Sequence, residues 1–175
     1  SEKTPRQETI DGVEVFREIP LPMKEGLEIF LSSQTLGWGE GLEYLLNLFS
    51  YNQLALDDLV REGPFDLLVA HDWLALPGGM AARRYGIPLI YHVHGLETGR
   101  SSSPNPQIIA LEHRGAEVAD LVITVSQAMK RELVGQGVPA NKIRVCYHGV
   151  DSDFFDPEKV DGKSLTSLRE RYGIV

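Results

Sequence analysis

Three histidines and one aspartate stand where two short apolar runs of this sequence end. His71 and Asp72 follow one run directly, and His92 and His94 close another. Side chains two apart on a β-strand lie on the same face, so His92 and His94 share a face if the strand extends that far. Imidazole and carboxylate groups bind hydroxyl groups, transfer protons and coordinate metals, so these residue types allow more than one chemistry.

His94 is the strongest single candidate for catalysis. It is the last residue of its predicted strand before a glycine, and we expect it to project into a cleft. Asp72 is the second candidate, because it follows a buried strand without a spacer. An alternative is that Asp72 caps the next helix while Trp73 packs against that helix, and both roles can coexist. For His92 we expect a core histidine that is bonded to a backbone group.

A metal-dependent hydrolase is the enzymatic alternative. The spacing of His92 and His94 also occurs in metal sites, and Asp72 could join them. A metal needs a third and often a fourth ligand, and the sequence does not show which residues would supply them. The other candidates are Glu97, His71 and His113. We therefore expect no metal site.

Charged residues in the next loop and helix are weaker candidates. Glu97 and Arg100 flank a glycine, and Arg100 can pair with a phosphate or carboxylate or remain a solvated loop charge. The charged triplet 112–114 is interpreted as the solvated face of a helix. The sequence has no Gly-x-Gly-x-x-Gly after a strand, no P-loop and no Gly-x-Ser-x-Gly, so the enzyme classes with those motifs are unsupported.

The elements that must position these residues alternate along the chain. Strands are predicted at 12–17, 65–70, 87–94, 120–125 and 143–147. Helices are predicted at 42–61, 74–85, 107–119, 127–136 and 164–172, with loops at 37–41 and 95–106. This order predicts an α/β fold with a doubly wound, mostly parallel sheet and helices on both faces.

The carboxyl ends of the parallel strands are where such sheets bind ligands. This rule selects the segments 71–73, 94–97 and 148–151, each of which follows a predicted strand. Ser126 also follows a strand, and we expect it to cap the next helix.

Length and composition narrow the class of protein. The chain has 175 residues, 42% of them apolar and 24% charged, which suits one globular domain. Its formal net charge of −8 argues against nucleic-acid binding. No stretch approaches the roughly 20 apolar residues of a membrane helix, and no signal peptide is visible in the polar start. The single cysteine, Cys146, is expected to be a buried hydrophobe in a reducing, cytoplasmic compartment.

Four segments, taken together, resemble one enzyme family. They are 65–75 (FDLLVAHDWLA), 88–95 (PLIYHVHG), 117–126 (EVADLVITVS) and 142–151 (KIRVCYHGVD). In this order they are similar to the landmarks of the family 4 retaining glycosyltransferases, glycogen and starch synthases among them. His148 departs from the pattern, because the family usually has asparagine at this place.

The resemblance implies the GT-B architecture, in which two Rossmann-like domains face each other across a cleft. Residues 1–157 would form the acceptor-side N-terminal domain, without the family's first strand and glycine-rich turn. Residues 158–175 would lead to a C-terminal donor-binding domain outside this chain. We then expect the isolated chain to be inactive, and its sheet edges to favour self-association.

The resemblance also implies a reaction and a set of site residues. The family transfers a hexose, with glucose favoured here, from ADP-glucose or UDP-glucose to a glucan or other acceptor, without a metal or another cofactor. His94 is implied to contact the transferring sugar, and Asp72 to lie near sugar and acceptor. The substrate-binding candidates are His71, Trp73, Gly95, Glu97, Arg100, Gly149 and Asp151. A free-standing carbohydrate-binding module is the non-enzymatic alternative.

Overall fold

The computed structural model describes residues 4–23, 32 and 40–174, and within them the chain forms two β-sheets. The first is an antiparallel hairpin of β1 (Gln7–Ile10) and β2 (Val13–Phe16). Asp11 and Gly12 form its turn with φ angles of 50° and 81°. A two-residue hairpin turn of this kind needs positive φ at both positions, which an Asp-Gly pair provides.

The second sheet has four parallel strands in the order in which they occur along the chain. They are β3 (Leu68–His71), β4 (Leu89–Val93), β5 (Leu121–Thr124) and β6 (Ile143–Val145). His71 pairs in register with His92, and Val93 pairs with Thr124. The carboxyl ends of the strands therefore line up along one edge of the sheet. We call this edge, from His71 on β3 to Val145 on β6, the rim.

Helices precede, connect and follow these strands. They are α1 (Glu40–Glu62), α2 (Leu76–Ala82), α3 (Glu97–Arg100), α4 (Pro106–Val118), α5 (Gln127–Gly135) and α6 (Gly162–Tyr172). Short 3₁₀ turns lie at Trp73–Ala75, Arg83–Tyr85, Ala140–Lys142 and Pro157–Lys159. Ser126 caps α5 as predicted, because its hydroxyl accepts the N–H of Met129 at 3.1 Å.

The alternation of burial along the strands places the apolar core on one face of the parallel sheet. On β4, Leu89, Tyr91 and Val93 are fully buried, whereas the intervening residues are partly exposed. The helices α1, α2, α4 and α5 cover the buried face. Their contributions to the shared cluster include Leu48, Leu76, Ala116 and Leu133. The opposite face remains more open, and Val69 on β3 is 40% exposed.

Glycines let α2 lie unusually close to its neighbours. A β-carbon placed on Gly79 would lie 3.0 Å from Ala70 on β3. One placed on Gly115 of α4 would lie 2.5 Å from the fully buried side chain of Leu76. The absence of a side chain at these two positions therefore brings α2 against both the sheet and α4, which fixes the direction in which the chain leaves β3.

The α/β class and the parallel sheet are confirmed, and the predicted helices match within a few residues. The hairpin strand β1 was not predicted, because its residues are mostly polar and exposed. The segment predicted as a loop contains the short helix α3. The expected burial of Cys146 is wrong: β6 ends at Val145, and Cys146 is exposed. Residues 37–39 of the predicted glycine-rich loop lie outside the described residues.

Among the helices of the described segments, none combines the length and apolar character that crossing a bilayer demands.

Candidate active site

Two adjacent strands bring the strongest candidates together at the rim. His71 ends β3, and His94 follows the last residue of β4. The N–H of Asp72 donates to the carbonyl of His92 at 2.9 Å, which extends the pairing of β3 with β4 by one residue. Asp72 and His94 therefore lie side by side at the same edge of the sheet, as predicted.

The Asp72 carboxylate binds the loop that follows β4. Its Oδ1 accepts the N–H of His94 at 2.8 Å and that of Gly95 at 3.4 Å. Its Oδ2 forms an ion pair with Arg100 of α3 at 2.6 Å. These contacts differ from the helix cap that the sequence allowed, because the carboxylate makes no capping bond to the 3₁₀ turn that follows. Asp72 instead holds the backbone of His94 and Gly95 and so fixes the position of His94 at the rim.

The backbone of Asp72 is strained at this point. Its φ of 56° and ψ of 177° fall in a region that non-glycine residues rarely occupy. This conformation ends β3 abruptly, and Trp73 begins the next turn. The hydrogen bonds and the ion pair of the Asp72 carboxylate offset the free-energy cost of this backbone strain.

Four imidazole rings form a cluster at the rim. Nδ1 of His71 lies 2.8 Å from Nε2 of His94, and Nδ1 of His94 lies 3.2 Å from Nε2 of His148. The ring centroids of His92 and His94 are 4.2 Å apart. We call these four residues the histidine cluster. His148, which entered the sequence analysis only as a departure from a family pattern, is brought to His94 by the loop after β6.

Burial and repulsion between the rings lower the pKa values of two members of the histidine cluster. Burial lowers the pKa of His71, and the neighbouring His94 lowers it further, while Asp72 acts in the opposite direction. Burial also lowers the pKa of His92, with further lowering from the other three rings. Both residues therefore remain neutral at pH 7, because protonation would place charge in a partly desolvated group of rings.

His92 differs from the core histidine that the sequence predicted. Its Nε2 is buried and has no hydrogen-bond partner within the described part of the chain. The described residues give this nitrogen no backbone bond, and the ring instead packs against both His71 and His94. An unpaired buried nitrogen costs free energy unless a ligand or water satisfies it.

Glu97 and Glu112 support the rim from beneath. Glu112, only 2% exposed, accepts the N–H of Glu97 at 3.0 Å. Burial raises the pKa of the Glu112 carboxyl to about 7, against the lowering effects of this hydrogen bond and of Arg100. The Glu97 carboxylate accepts the N–H of Asn105 at 2.9 Å. These contacts hold the loop that carries Arg100, so Glu112, interpreted earlier as part of a solvated face, is a buried support.

The remaining predicted site residues divide between the core and local turns. Trp73 is only 9% exposed and lies in the core next to Tyr44, which corresponds to the packing role that the sequence also allowed. Gly95 lies beneath Arg100, whose Nε would be 2.7 Å from a β-carbon at this position. Asp151 accepts the N–H groups of the next turn, and Gly149 is exposed beside it.

The group able to hold a metal contains His71, one of the further ligand candidates from the sequence, rather than Asp72. His71, His92 and His94 each offer one nitrogen, and these nitrogens all lie within 4.8 Å of one another. Asp72 is not part of this group, since its oxygens are bonded to Arg100 and to backbone N–H groups.

Comparisons with known proteins agree with this fold. Anabaena HepE in complex with UDP-glucose matches with a TM-score of 0.57 and 25% sequence identity, over 71% of this chain and 32% of HepE. HepE in complex with UDP and glucose matches with a TM-score of 0.54 and 26% identity, over 73% and 32%. A UDP-N-acetylglucosamine 2-epimerase from Rickettsia bellii, at 20% identity and a TM-score of 0.50 over 69% and 33%, supports the fold alone.

The chain spans about a third of the length of the solved structures it matches. A comparison with curated proteins finds no sequence match. The family model described as Glycosyltransferase Family 4 matches residues 37–154, which is well over half of the chain and includes the whole parallel sheet. The chain therefore belongs to Glycosyltransferase Family 4.

Proposed function

We propose that the chain forms the acceptor-side domain of a retaining glycosyltransferase that moves a hexose from a nucleotide sugar to an acceptor. The observation that carries this proposal is the position of His94 at the rim, within residues 37–154, the segment that matches the family. The match with HepE in complex with UDP-glucose supports UDP-glucose as the donor. A glucan is the acceptor we propose to test first.

His94 would orient the transferring sugar. A retaining transfer develops positive charge on the sugar ring while the nucleoside diphosphate leaves, so catalysis depends on placing the hydroxyls correctly and on stabilising the departing charge. A neutral imidazole can accept or donate one hydrogen bond to a sugar hydroxyl. His94 suits this task because its backbone is fixed by Asp72, and a sugar hydroxyl would take the place of His71 or His148 at one of its ring nitrogens.

Asp72 would act as a positioning residue. Both of its carboxylate oxygens are bonded to protein groups, so its contribution to the reaction passes through the placement of His94 and Arg100. Arg100 is exposed, and its guanidinium retains further N–H groups that can bind a substrate hydroxyl or phosphate.

Stabilisation of the leaving diphosphate would fall to a donor-binding domain that packs against the rim. We propose that residues 1–157 belong to the acceptor side and that 158–175 lead toward the second domain. Two observations support this division. The described residues from 157 to 174 are all exposed, and the helix α6 carries apolar side chains that face solvent. Examples are Leu165, Leu168 and Tyr172.

The test is a transfer assay of the complete polypeptide that carries this chain. UDP-glucose, ADP-glucose and UDP-galactose are offered with a glucan acceptor, and the anomeric configuration of the product is determined by NMR. We expect transfer from UDP-glucose with retention, and no transfer by residues 1–175 alone. Inversion, or full activity of the 175-residue chain, would contradict the proposal.

The role of His94 is tested in the same assay. His94→Ala should lower kcat by about 10²- to 10³-fold, the range seen when one transition-state hydrogen bond is lost. His113→Ala is the matched control, because His113 lies on α4 and contacts the carbonyl of Gln136, away from the rim. Equal loss in both variants would indicate a general effect on folding and would remove His94 from the mechanism.

A further inference from the structure

Three imidazole nitrogens converge at one point of the rim. His71 ends β3, His92 is its partner in register on β4, and His94 lies one step beyond on the same face of β4. One ring nitrogen from each residue lies within 4.8 Å of the other two. Nδ1 of His71 and Nε2 of His94 are 2.8 Å apart.

These separations bracket the geometry of a bound metal. Zinc–nitrogen bonds of 2.0–2.1 Å place two imidazole nitrogens about 3.4 Å apart around a tetrahedral ion. The pair at 2.8 Å is tighter than this, and no separation in the group exceeds 4.8 Å. Movements of about 1 Å or less would therefore bring all three nitrogens to one ion. His71 can make such a movement because its side chain is exposed.

The unpaired nitrogen of His92 points to a ligand as well. Its Nε2 is buried without a hydrogen-bond partner in the described part of the chain, although its ring contacts His71 and His94. A cation that the neighbouring nitrogens also bind would satisfy this buried polar atom. Packing alone leaves the nitrogen unsatisfied.

His148 completes the pattern of a metal site. Its Nε2 lies 3.2 Å from Nδ1 of His94, which is the nitrogen of His94 that faces away from His71. A histidine that binds a metal commonly donates its other N–H to a neighbouring acceptor, and this bond fixes the tautomer of the ligand. In this arrangement the bond to His148 engages Nδ1 of His94 and leaves Nε2 of His94 to bind the metal.

The surrounding charges permit a cation. The guanidinium of Arg100 is paired with Asp72 at 2.6 Å. The contact between His71 and His94 is an alternative to metal binding, because a proton shared between the two nitrogens and a metal ion compete for the same lone pairs.

We propose that His71, His92 and His94 bind one divalent transition-metal ion, with Zn²⁺ as the best match, and leave a fourth position open to water or another ligand. Three nitrogen ligands with an open position suit zinc better than Mg²⁺ or Ca²⁺, which prefer oxygen. The proposal goes beyond the transfer reaction, since binding of the ion needs neither sugar nor nucleotide. An ion on Nε2 of His94 would compete with the transferring sugar for this side chain.

The experiment is a titration of the chain with Zn²⁺. The protein is purified without a polyhistidine tag, treated with a chelator, and titrated by isothermal titration calorimetry. We expect one Zn²⁺ per chain. His71→Gln, His92→Gln and His94→Gln should each weaken binding by at least about 100-fold, and His148→Gln by about 10-fold, the lower end of the range for an orienting partner.

The fifth histidine of the chain provides the matched control. His113→Gln should leave both stoichiometry and affinity unchanged, because His113 lies on α4 and contacts Gln136. Equal weakening by His113→Gln and His92→Gln would mean unspecific binding and would overturn the proposal. So would the absence of a stoichiometric site, or full affinity in His71→Gln.

Cobalt substitution gives a second readout. Co²⁺ bound by three histidines and water has intense visible absorption bands typical of tetrahedral coordination, and His71→Gln should abolish them. Circular dichroism checks that each variant is folded. His71 is exposed, so its variant keeps the test decisive even if His92→Gln fails to fold. Weak octahedral bands, unchanged in His71→Gln, would overturn the proposal.

Discussion

Asp72 combines an unusual backbone conformation with a fully engaged side chain. The backbone strain at this residue costs on the order of 1–3 kcal/mol, and the bonds to the loop after β4 offset it. The carboxylate is 19% exposed, so the ion pair with Arg100 is partly shielded from water. Backbone strain that hydrogen bonds maintain is typical of sites that hold a neighbouring group in one orientation.

Substitutions at Asp72 can separate the backbone from the carboxylate. Asp72→Ala loses the carboxylate and keeps the strain, whereas Asp72→Gly loses the carboxylate and relieves the strain. We expect Asp72→Gly to be more stable than Asp72→Ala by about 1–3 kcal/mol in urea unfolding. In the complete enzyme both variants should lose activity, because His94 and Arg100 lose their anchor. Asp66→Ala, at an exposed position before β3, is the control.

Glu112 makes stability depend on pH. The folded state raises its pKa from 4.5 to about 7, so the folded chain binds a proton more tightly than the unfolded chain. The stabilisation is complete below pH 4.5 and is lost as the pH rises to 7, with a total on the order of 1–3 kcal/mol. Glu112→Gln should remove this part of the difference between the unfolding free energies at pH 5 and pH 8. A slope that is unchanged in the variant would show that other groups cause it.

At the scale of single residues, the sequence predicted that Asp72 and His94 lie at one edge of the sheet, but not that the Asp72 carboxylate accepts the N–H of His94. The position of both residues after parallel strands was enough to place them at one edge. The strained conformation of Asp72 and the approach of His148 depend on loops whose paths are set by tertiary contacts. Glu112 was misread because a charged residue on a helix is usually solvated, and only the fold shows that α4 turns it inward.

At the scale of the elements, α2 determines how the chain returns from β3 to β4. Its contacts with the sheet and with α4 are closer than side chains normally allow, because Gly79 and Gly115 provide no β-carbon. The sequence predicted a helix at 74–85 that Gly86 ends, and Gly86 has the left-handed conformation. The α-helical part is shorter, because 3₁₀ turns occupy Trp73–Ala75 and Arg83–Tyr85. The closeness of the packing could not be predicted, because it depends on which residues of α4 face Leu76.

Gly115 should not tolerate alanine. The added methyl group would lie 2.5 Å from Leu76, which is fully buried and has no room to move. Overpacking of this kind costs about 1–3 kcal/mol, and it should outweigh the higher helix propensity of alanine. Gly135→Ala on α5 is the matched control, because no described atom lies within 4 Å of its added carbon. Chemical denaturation measures both, and equal stability of the two variants would contradict this account of α2.

The hairpin of β1 and β2 shows a different limit. An Asp-Gly pair between two short segments is a hairpin signal, and here it marks the turn. The sequence does not predict the first strand because its residues are mostly polar, as expected of a strand that is exposed on both faces.

The groove between this hairpin, α1 and β3 has a volume of about 680 Å³ and a largely apolar lining, which includes Phe16, Leu59 and Val69.

At the scale of the whole molecule, β3 is an outer strand of the parallel sheet as far as the chain is described. Its exposed residues include several large apolar side chains, among them Phe65 and Leu67 just before the strand and Val69 within it. An outer strand with free backbone groups and apolar side chains can pair with another chain. The net charge of −8 opposes such association only at long range, and salt screens it.

We therefore expect the isolated 175-residue chain to self-associate through β3. Light scattering after size-exclusion chromatography should show a mass that rises with protein concentration. Val69→Lys should lower it, because lysine on an outer strand opposes pairing. Val134→Lys, at a position on α5 that is also 40% exposed, should have no effect. A constant monomer mass, or an equal effect of both variants, would contradict the role of β3.

The exposed position of Cys146 has a practical consequence. It is the only thiol of the chain, it follows β6 directly, and its backbone N–H still bonds to Thr124 at 2.9 Å. A fluorophore coupled to it would sit on an anchored stretch of backbone two residues from His148. Without any added cysteine, its emission would report whether the proposed substrate or second domain covers the imidazole rings.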